Sequence, residues 1–310
     1  MTHRVGKTGA VDSVLLIAFG GPTAPSEIRP FLDNVTRGRP IPNERLDEVV
    51  HHYEAMPGGR SPLNALTEAQ AAGLRARLGG CPPVYVGMRN WHPYLHDTLT
   101  AMTRDGRGRT LGLILSAFRC EASWDRYMAD VAAARARMAD APAIVYAPPW
   151  FEHPRFIAAV ADRVRSALAA VPAAERDRTP LVFTAHSIPR AMAQGSPYVT
   201  DFGVAAAAVA RRLGHARWLS AYQSRSGAPR DPWLEPDVNE TIRDLAKAGE
   251  RRVLLVPIGF VVDHVEVLYD LDIAARDVAA QHGVAYHRAA AVNDHPEFIG
   301  MLAEIVREAS

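Results

Sequence analysis

The chain has 310 residues, of which 48% are hydrophobic and 22% charged, and its formal net charge is +1. This length suits two domains of ordinary size or one large α/β unit. The near-zero net charge excludes the strong field with which proteins attract nucleic acid or an anionic membrane. No apolar run approaches the ~20 residues that span a bilayer, and residues 1–13 lack the apolar core of a signal peptide. We therefore expect a cytoplasmic protein without an integral membrane segment or a nucleic-acid partner.

Strands and helices alternate through the first half of the chain. Apolar, β-branched runs predict strands at 13–18, 84–88, 110–115 and 144–146. Helical spacing of apolar residues predicts helices at 27–35, 63–78, 94–104 and 124–139, the first of them with Ser26 as its N-cap. This regular alternation predicts a doubly wound parallel sheet.

Two loops of the first half carry residues suited to binding. Arg37 and Arg39 flank Gly38, and arginines placed in this way suit the recognition of a carboxylate. The alternative is an ordinary solvated loop. The segment RNWHP, residues 89–93, follows the second predicted strand, where parallel sheets place groups that contact a ligand.

The second half repeats the same plan. The pattern predicts strands at 181–185, 217–221, 253–256 and 285–288, and helices at 154–170, 201–213, 237–248, from about 263 onward, and at 296–308. Two similar α/β halves imply a cleft between them. We place one domain at residues 11–150 and the other at 151–295, and we expect the C-terminal helix, residues 296–310, to pack on the first domain.

Three ionisable residues of the second half follow predicted strands. His186 comes at the carboxyl end of a strand, where an imidazole with a pKa near neutrality suits proton transfer or metal ligation; the alternative is a buried histidine at a helix start. Glu266 and Asp270 are four residues apart and share one helical face, which suggests a cation or a proton task. The alternative for Glu266 is a capping box with Asp263.

Seven segments, in the expected order, resemble the ferrochelatase family. The three most specific are TAHSIP (184–189), YQSRSGAPRDPWLEPD (222–237) and GFVVDHVEVLYDLD (259–272). The others are FGGP (19–22), NVTRGRPIP (34–42), GGRSPLN (58–64) and GMRNWHP (87–93). The resemblance runs from about Val14 to the C-terminus.

This resemblance implies an enzyme of heme biosynthesis, a lyase that inserts Fe(II) into a porphyrin and releases two protons. The implied fold is α/β, with two similar Rossmann-like, chelatase-type domains that hold the porphyrin between them. His186 matches the active-site histidine, a metal ligand or proton acceptor, and Glu266 matches the carboxylate that faces it. Asp270 continues an acidic, metal-binding row along a helix that contains a π-turn in relatives. The positions that we expect to contact the porphyrin are Phe19, Arg37, Ser61, Arg119 and Trp233.

The resemblance also bears on cofactors and assembly. Iron is expected as substrate, with no resident cofactor, and a monomer is expected. Some relatives carry a [2Fe-2S] cluster, but Cys81 and Cys120 are the only cysteines of the chain and cannot bind one.

The sequence departs from the family pattern at several positions. Ala274 stands where relatives carry a third acid, and Phe19 stands where some bacterial relatives have a tyrosine that ligates iron. Arg119 and Glu121 lie in a turn that is rich in serine and tyrosine in relatives. These departures bear on metal entry and on the mouth of the porphyrin site.

Several substrates and one non-enzymatic function stay open from the sequence. The NVTRGRPIP segment favours the group of enzymes that use coproporphyrin III, and protoporphyrin IX is the alternative substrate. Insertion of another metal such as cobalt, or a non-catalytic porphyrin or heme carrier, are further alternatives. The presence of both His186 and Glu266 argues against a carrier, because a carrier needs no base that faces the ring.

Overall fold

Two four-stranded parallel sheets form the frame of the protein, in a computed structural model that describes residues 10–38, 42–226 and 231–310. The first sheet has the order β2-β1-β3-β4, and the second has the order β6-β5-β7-β8. The strands are β1 Ser13–Ala18, β2 Val84–Met88, β3 Arg109–Ile114, β4 Ala143–Tyr146, β5 Leu181–His186, β6 Trp218–Gln223, β7 Arg252–Val256 and β8 Ala285–Arg288. We call the half built on β1–β4 the first lobe and the half built on β5–β8 the second lobe.

The two sheets have the same topology, because each places its first strand between its second and third. In sheets of this kind a ligand binds beyond the carboxyl ends of the two central strands, where the chain turns to opposite sides. These strands are β1 and β3 in the first lobe and β5 and β7 in the second. The segments that follow these four strands are therefore the ones that position a site.

Helices cover the sheets. They are α1 Ile28–Val35, α2 Asn43–Glu54, α3 Leu63–Arg77, α4 Leu95–Arg104, α5 Arg126–Arg135, α6 Pro154–Leu168, α7 Arg190–Gln194, α8 Tyr198–Leu213, α9 Val238–Lys247, α10 Val265–Tyr269, α11 Arg276–Gln281 and α12 Pro296–Ala309. Two segments, Glu121–Asp125 and Asp270–Ala275, are π-helical. No helix among the described residues is long and apolar enough to span a bilayer.

The core is continuous between the lobes. Central strands β1 and β5 contribute to one buried cluster, which includes Leu16 of the first and Phe183 of the second. Helix α12 lies against both α3 and α6. Gln70 of α3 donates hydrogen bonds to the main-chain oxygens of Val261 (3.0 Å) and Asn293 (2.9 Å), in the second lobe. The lobes are therefore held together along their length, and the domain boundaries stay a prediction.

All the predicted strands are present, and the helices differ from the prediction in three respects. Ser26 does not cap α1, because a 3₁₀ turn, Pro25–Glu27, precedes that helix and no side chain caps it. Helices α2 and α7 were not predicted. The signal for α2 is present in the sequence, because Leu46, Val49, Val50 and Tyr53 follow helical spacing and pack in or against one cluster. The helix predicted at 124–139 begins as the π-helical segment Glu121–Asp125.

Candidate functional site

A cleft of about 1270 Å³ separates the carboxyl ends of the two sheets. Pockets for drug-sized ligands typically enclose about 300–1,000 Å³, so this cleft suits a larger molecule. Six of the predicted site residues line it: Phe19, Arg37, Ser61, His186, Trp233 and Glu266. Arg119 and Asp270 are not among the lining residues.

His186, the last residue of β5, presents one basic nitrogen. Its Nδ1 hydrogen-bonds the main-chain oxygen of Ser187, which can only accept, so Nδ1 carries the proton and Nε2 keeps a free lone pair. That Nε2 lies 3.7 Å from Oε1 of Glu266. The hydroxyl of Tyr198 donates to the main-chain oxygen of His186 at 2.9 Å and fixes the end of the strand. The strand end thus delivers an oriented base into the cleft.

Glu266 lies in the first turn of α10, after the loop that follows β7. The capping-box alternative is wrong: the N-cap is His264, whose Nδ1 accepts a hydrogen bond from the main-chain N–H of Glu266 at 3.1 Å. The side-chain amide of Gln223 donates to the main-chain oxygen of Glu266 at 2.8 Å. The carboxylate takes no part in holding the helix and is free to act in the cleft.

Gln223 also joins the two elements that carry the pair. It is the β6 partner of His186 in the sheet, and its main-chain oxygen accepts from the N–H of Ser187 at 2.7 Å. Its side chain binds α10, as described above, and the residue is 1% exposed. One buried glutamine therefore sets the position of Glu266 relative to His186.

Three titratable groups near the pair have pKa shifts that favour their neutral forms. Burial lowers the pKa of His264, against the opposing effect of Glu266. Burial raises the pKa of Tyr127 to about 12, and burial followed by the charge of Glu266 raises that of Tyr53 well above its ordinary value. These three groups therefore place no charge of their own beside the pair.

Asp270 lies one turn beyond Glu266, at the start of the π-helical segment. Burial raises its pKa to about 7, against a hydrogen bond from Ser224 and with a smaller contribution from Glu266. Ser224 has a φ of 62°, in the left-handed region that residues other than glycine rarely adopt. Among the described residues, no three His, Cys, Asp or Glu side chains are placed to hold one metal ion. The structure thus brings His186 and Glu266 together on the cleft wall, whereas Asp270 does not line the cleft.

The expected porphyrin contacts of the first lobe lie around the end of β1. The ring of Phe19 packs edge-on against Phe31, with centroids 6.3 Å apart. Ser61 is 5% exposed, and a Cβ at Gly21 would come within 2.9 Å of its side chain, so glycine lets the two loops meet. Arg37 is exposed and hydrogen-bonds Asn34, whereas its predicted companion Arg39 lies outside the described residues.

Arg119 has a different surrounding from the one expected. Its Nε and Nη2 each donate to the carboxylate of Asp201 at 2.8 Å, and Asp201 is 2% exposed. Its guanidinium also lies 5.5 Å from the centre of the Phe151 ring. Because Asp201 belongs to α8 of the second lobe, this bidentate ion pair joins the lobes beside the cleft. A porphyrin contact of Arg119 stays a prediction.

Sequence reasoning missed several residues that shape the site: His264, Gln223, Ser224, Tyr53 and Tyr198. His264 had a readable signal, since it directly precedes the predicted helix and is a possible cap. Tyr53 had one too, since it completes the helically spaced apolar series Leu46, Val49, Val50 and Tyr53.

Two parallel sheets of one topology, with an oriented imidazole and a carboxylate on the wall of a large cleft, define a two-lobed α/β protein of the chelatase type. The solved structure of SirB from Bacillus subtilis with Fe3+ shares this fold, with a TM-score of 0.61 at 12% identity over 96% of this chain and 94% of that one. The ferrochelatase family model matches residues 11–310. The chain belongs to the ferrochelatase family.

Similar curated proteins agree with that assignment. The coproporphyrin III ferrochelatase of Mycolicibacterium smegmatis is 42% identical over 304 residues, which is 96% of this chain and 89% of the relative. The coproporphyrin III ferrochelatase of Nocardia farcinica is 43% identical over 311 residues, with 96% and 88% covered. The predicted family, fold class and enzyme class, a metal chelatase of heme synthesis, are confirmed.

Proposed function

We propose that this protein inserts Fe(II) into coproporphyrin III in the cleft between its lobes, as a step of heme synthesis. The observation that carries the proposal is the pair formed by Nε2 of His186 and Oε1 of Glu266, 3.7 Å apart on the cleft wall. The names of relatives 42–43% identical to the chain support coproporphyrin III as the substrate.

Proton removal is the first task of such an enzyme, because a free porphyrin carries two pyrrole N–H groups where the metal must bind. Nε2 of His186 is the basic atom that accepts a proton, since Nδ1 is held by Ser187. Glu266 stabilises the imidazolium that results and accepts the proton in turn. Asp270, with a pKa of about 7, lies one turn farther on and is suited to carry protons away.

Metal delivery makes a second demand on the same pair. Fe(II) is a borderline cation that binds imidazole and carboxylate well. Within the described ranges no third ligand joins the pair. Two protein ligands hold a metal weakly, which suits an ion that must leave for the porphyrin nitrogens. We therefore assign His186 and Glu266 to delivery as well as to proton transfer.

Porphyrin binding is assigned to cleft-lining residues of both lobes. Trp233 lies on the His186 side, where its main chain bridges to Pro189. Phe19 and Trp233 present apolar surface to the flat macrocycle, and both line the cleft. Arg37 and Ser61 line it too and supply a cation and a hydroxyl for propionates. Phenylalanine at position 19 supplies no iron ligand, so the metal is approached from the His186 side.

The substrate assignment predicts a preference that one assay measures. Coproporphyrin III has two more propionates than protoporphyrin IX, and a hydrogen bond to a charged group contributes about 1.5–3 kcal/mol. We expect kcat/KM for anaerobic Fe(II) insertion, followed by loss of porphyrin fluorescence, to be at least about tenfold higher with coproporphyrin III. An equal or higher value with protoporphyrin IX contradicts the substrate assignment.

The same assay separates the rival functions. Tight porphyrin binding without turnover with any metal identifies a carrier and overturns the enzyme assignment for this chain. Faster turnover with Co(II) than with Fe(II) identifies a cobalt chelatase.

We further propose that the enzyme is cytoplasmic, needs no resident cofactor, and has its first domain at residues 11–150 and its second at 151–295.

We also propose that the enzyme is a monomer. In support of a monomer, Val199 and Leu219 are the only large hydrophobic residues that are exposed in the described part of the chain. Stable dimers bury about 800 Å² per partner, usually around an apolar centre. Size-exclusion chromatography with light scattering should therefore give the 33.8 kDa of one chain, and twice that mass contradicts the expectation.

A further inference from the structure

The π-helical segment Asp270–Ala275 is held by side chains of β8. Tyr286 donates its hydroxyl proton to the main-chain oxygen of Leu271 at 2.6 Å. Arg288 donates from Nε and Nη2 to the two carboxylate oxygens of Asp272, at 2.7 Å each. Strand β8 thus binds two neighbouring residues of the segment, Leu271 through its main-chain oxygen and Asp272 through its carboxylate.

The position of these two residues in the sheet explains their reach. Tyr286 and Arg288 are two residues apart on β8, so both side chains point to the same face of the sheet. Their strand pairs with β7, with Val253 opposite Tyr286 and Leu255 opposite Arg288. The loop after β7 leads to α10, which carries Glu266. The second-lobe sheet is therefore joined to this helical region twice, by that loop and by the side chains of Tyr286 and Arg288 on β8.

Arg288 also binds the chain on the other side of Glu266. Its Nη1 donates to Oδ1 of Asp263 at 2.7 Å. The second carboxylate oxygen of Asp263 accepts from the side-chain amide of Asn293 at 2.8 Å. Arg288 is only 13% exposed in its side chain and Asp263 15%. One guanidinium therefore joins a residue three positions before Glu266 to a residue six positions after it.

A π-helical turn needs such support. It inserts one residue into an α-helix, and its hydrogen bonding is less favourable than that of the α-helix, so it persists where the surroundings hold it. Relaxation to an α-helix would turn one flanking part of the helix by about 100° relative to the other. Val267 of α10 is buried in the second-lobe core, and so are Ala275 and Ala279 on the other side of the turn. Neither flank can take up the whole rotation without losing this packing, so part of it would fall on α10 and displace the Glu266 carboxylate from His186.

We propose that Tyr286 and Arg288 are positioning residues for metal insertion: by holding the π-helical segment, they keep the Glu266 carboxylate in register with Nε2 of His186. The inference rests on the proposed function and extends it to two residues outside the cleft lining. Neither residue touches the porphyrin or the metal. Their loss acts on the chemical step and leaves porphyrin binding intact.

Single substitutions test the proposal with matched controls. Tyr286→Phe removes one hydroxyl, and Tyr85→Phe removes the same group from a strand of the first lobe, where it binds exposed Asp105 at 2.8 Å. Arg288→Met removes the buried guanidinium. Arg165→Met removes an exposed guanidinium on α6, which pairs with Asp162 away from the π-helical segment.

The readouts are kcat and KM for Fe(II) insertion into coproporphyrin III, the Kd of that porphyrin from fluorescence, and the melting temperature. We expect Tyr286→Phe and Arg288→Met to lower kcat by roughly 10- to 100-fold, the range found for residues that orient metal ligands. The KM for iron should rise while the porphyrin Kd stays unchanged. Tyr85→Phe and Arg165→Met should keep the wild-type kcat.

Three outcomes decide the matter. Wild-type kcat in Tyr286→Phe, which retains every apolar contact of the ring, overturns the inference. Parallel loss of kcat, porphyrin affinity and melting temperature in Tyr286→Phe shows a purely structural role and also overturns it. Absence of insertion by the wild-type protein with either porphyrin rejects the proposed function itself, and is distinguishable because it precedes any comparison of variants.

Discussion

Replacement of Glu266 by glutamine is expected to lower kcat for Fe(II) insertion by roughly 10²- to 10⁴-fold, the usual contribution of a positioned acid or base. The amide has nearly the shape of the carboxylate, but it neither accepts a proton nor stabilises a positive His186. The main-chain N–H and oxygen of residue 266 keep their bonds to His264 and Gln223, so α10 should stay in place. Anaerobic single-turnover assays with coproporphyrin III measure the effect.

Porphyrin affinity provides the internal control for this variant. We expect the Kd from fluorescence titration to stay at its wild-type value, because the macrocycle contacts assigned above do not involve the carboxylate. Glu68→Gln is a matched substitution on an exposed helix position, where the carboxylate pairs with Arg75. It should turn over normally. A Glu266→Gln enzyme with wild-type kcat would contradict the role given to the pair.

The sheets were predictable because strand signals are local. Buried parallel strands need continuous apolar runs, and β1, β5 and β7 have them. The position of His186 and Glu266 follows from the same runs, since each comes soon after a strand whose carboxyl end faces the cleft. The strand signals thus placed both residues at the edge of a sheet, and the resemblance to the ferrochelatase family paired them in one site although they are 80 positions apart in sequence.

Contacts that depend on distant partners could not be predicted in this way. The sequence predicts a porphyrin contact for Arg119 but not its ion pair, because only the fold places the buried carboxylate of Asp201 opposite it. The carboxylate of Asp263 was read as a possible cap because Glu266 follows at the right spacing. The structure gives that role to His264, since Arg288 and Asn293, far along the chain, already hold Asp263. Polar residues with several possible partners need the tertiary structure.

Asp270 makes the stability of the protein depend on pH in an unusual direction. Burial raises its pKa from the ordinary value of 3.8 to about 7. Between these two values the folded protein holds a proton that the unfolded chain has released, so the free energy of unfolding falls as the pH rises. Below pH 4 both states are protonated and the group has no effect. Above pH 7 the folded protein carries the whole cost of a buried carboxylate, about 4 kcal/mol.

Replacement of Asp270 by asparagine should remove this cost, because the amide stays neutral at every pH and still offers an oxygen to Ser224. We expect the free energy of unfolding of Asp270→Asn to gain about 2–3 kcal/mol on that of the wild type between pH 5 and pH 8. Urea unfolding at several pH values measures the gain. Asp244→Asn, at an exposed ion pair with Lys247, serves as the control and should show no such trend. A constant difference between Asp270→Asn and wild type across this range would mean that the folded protein ionises Asp270 freely, and that Asp270 holds no proton to pass on near neutral pH.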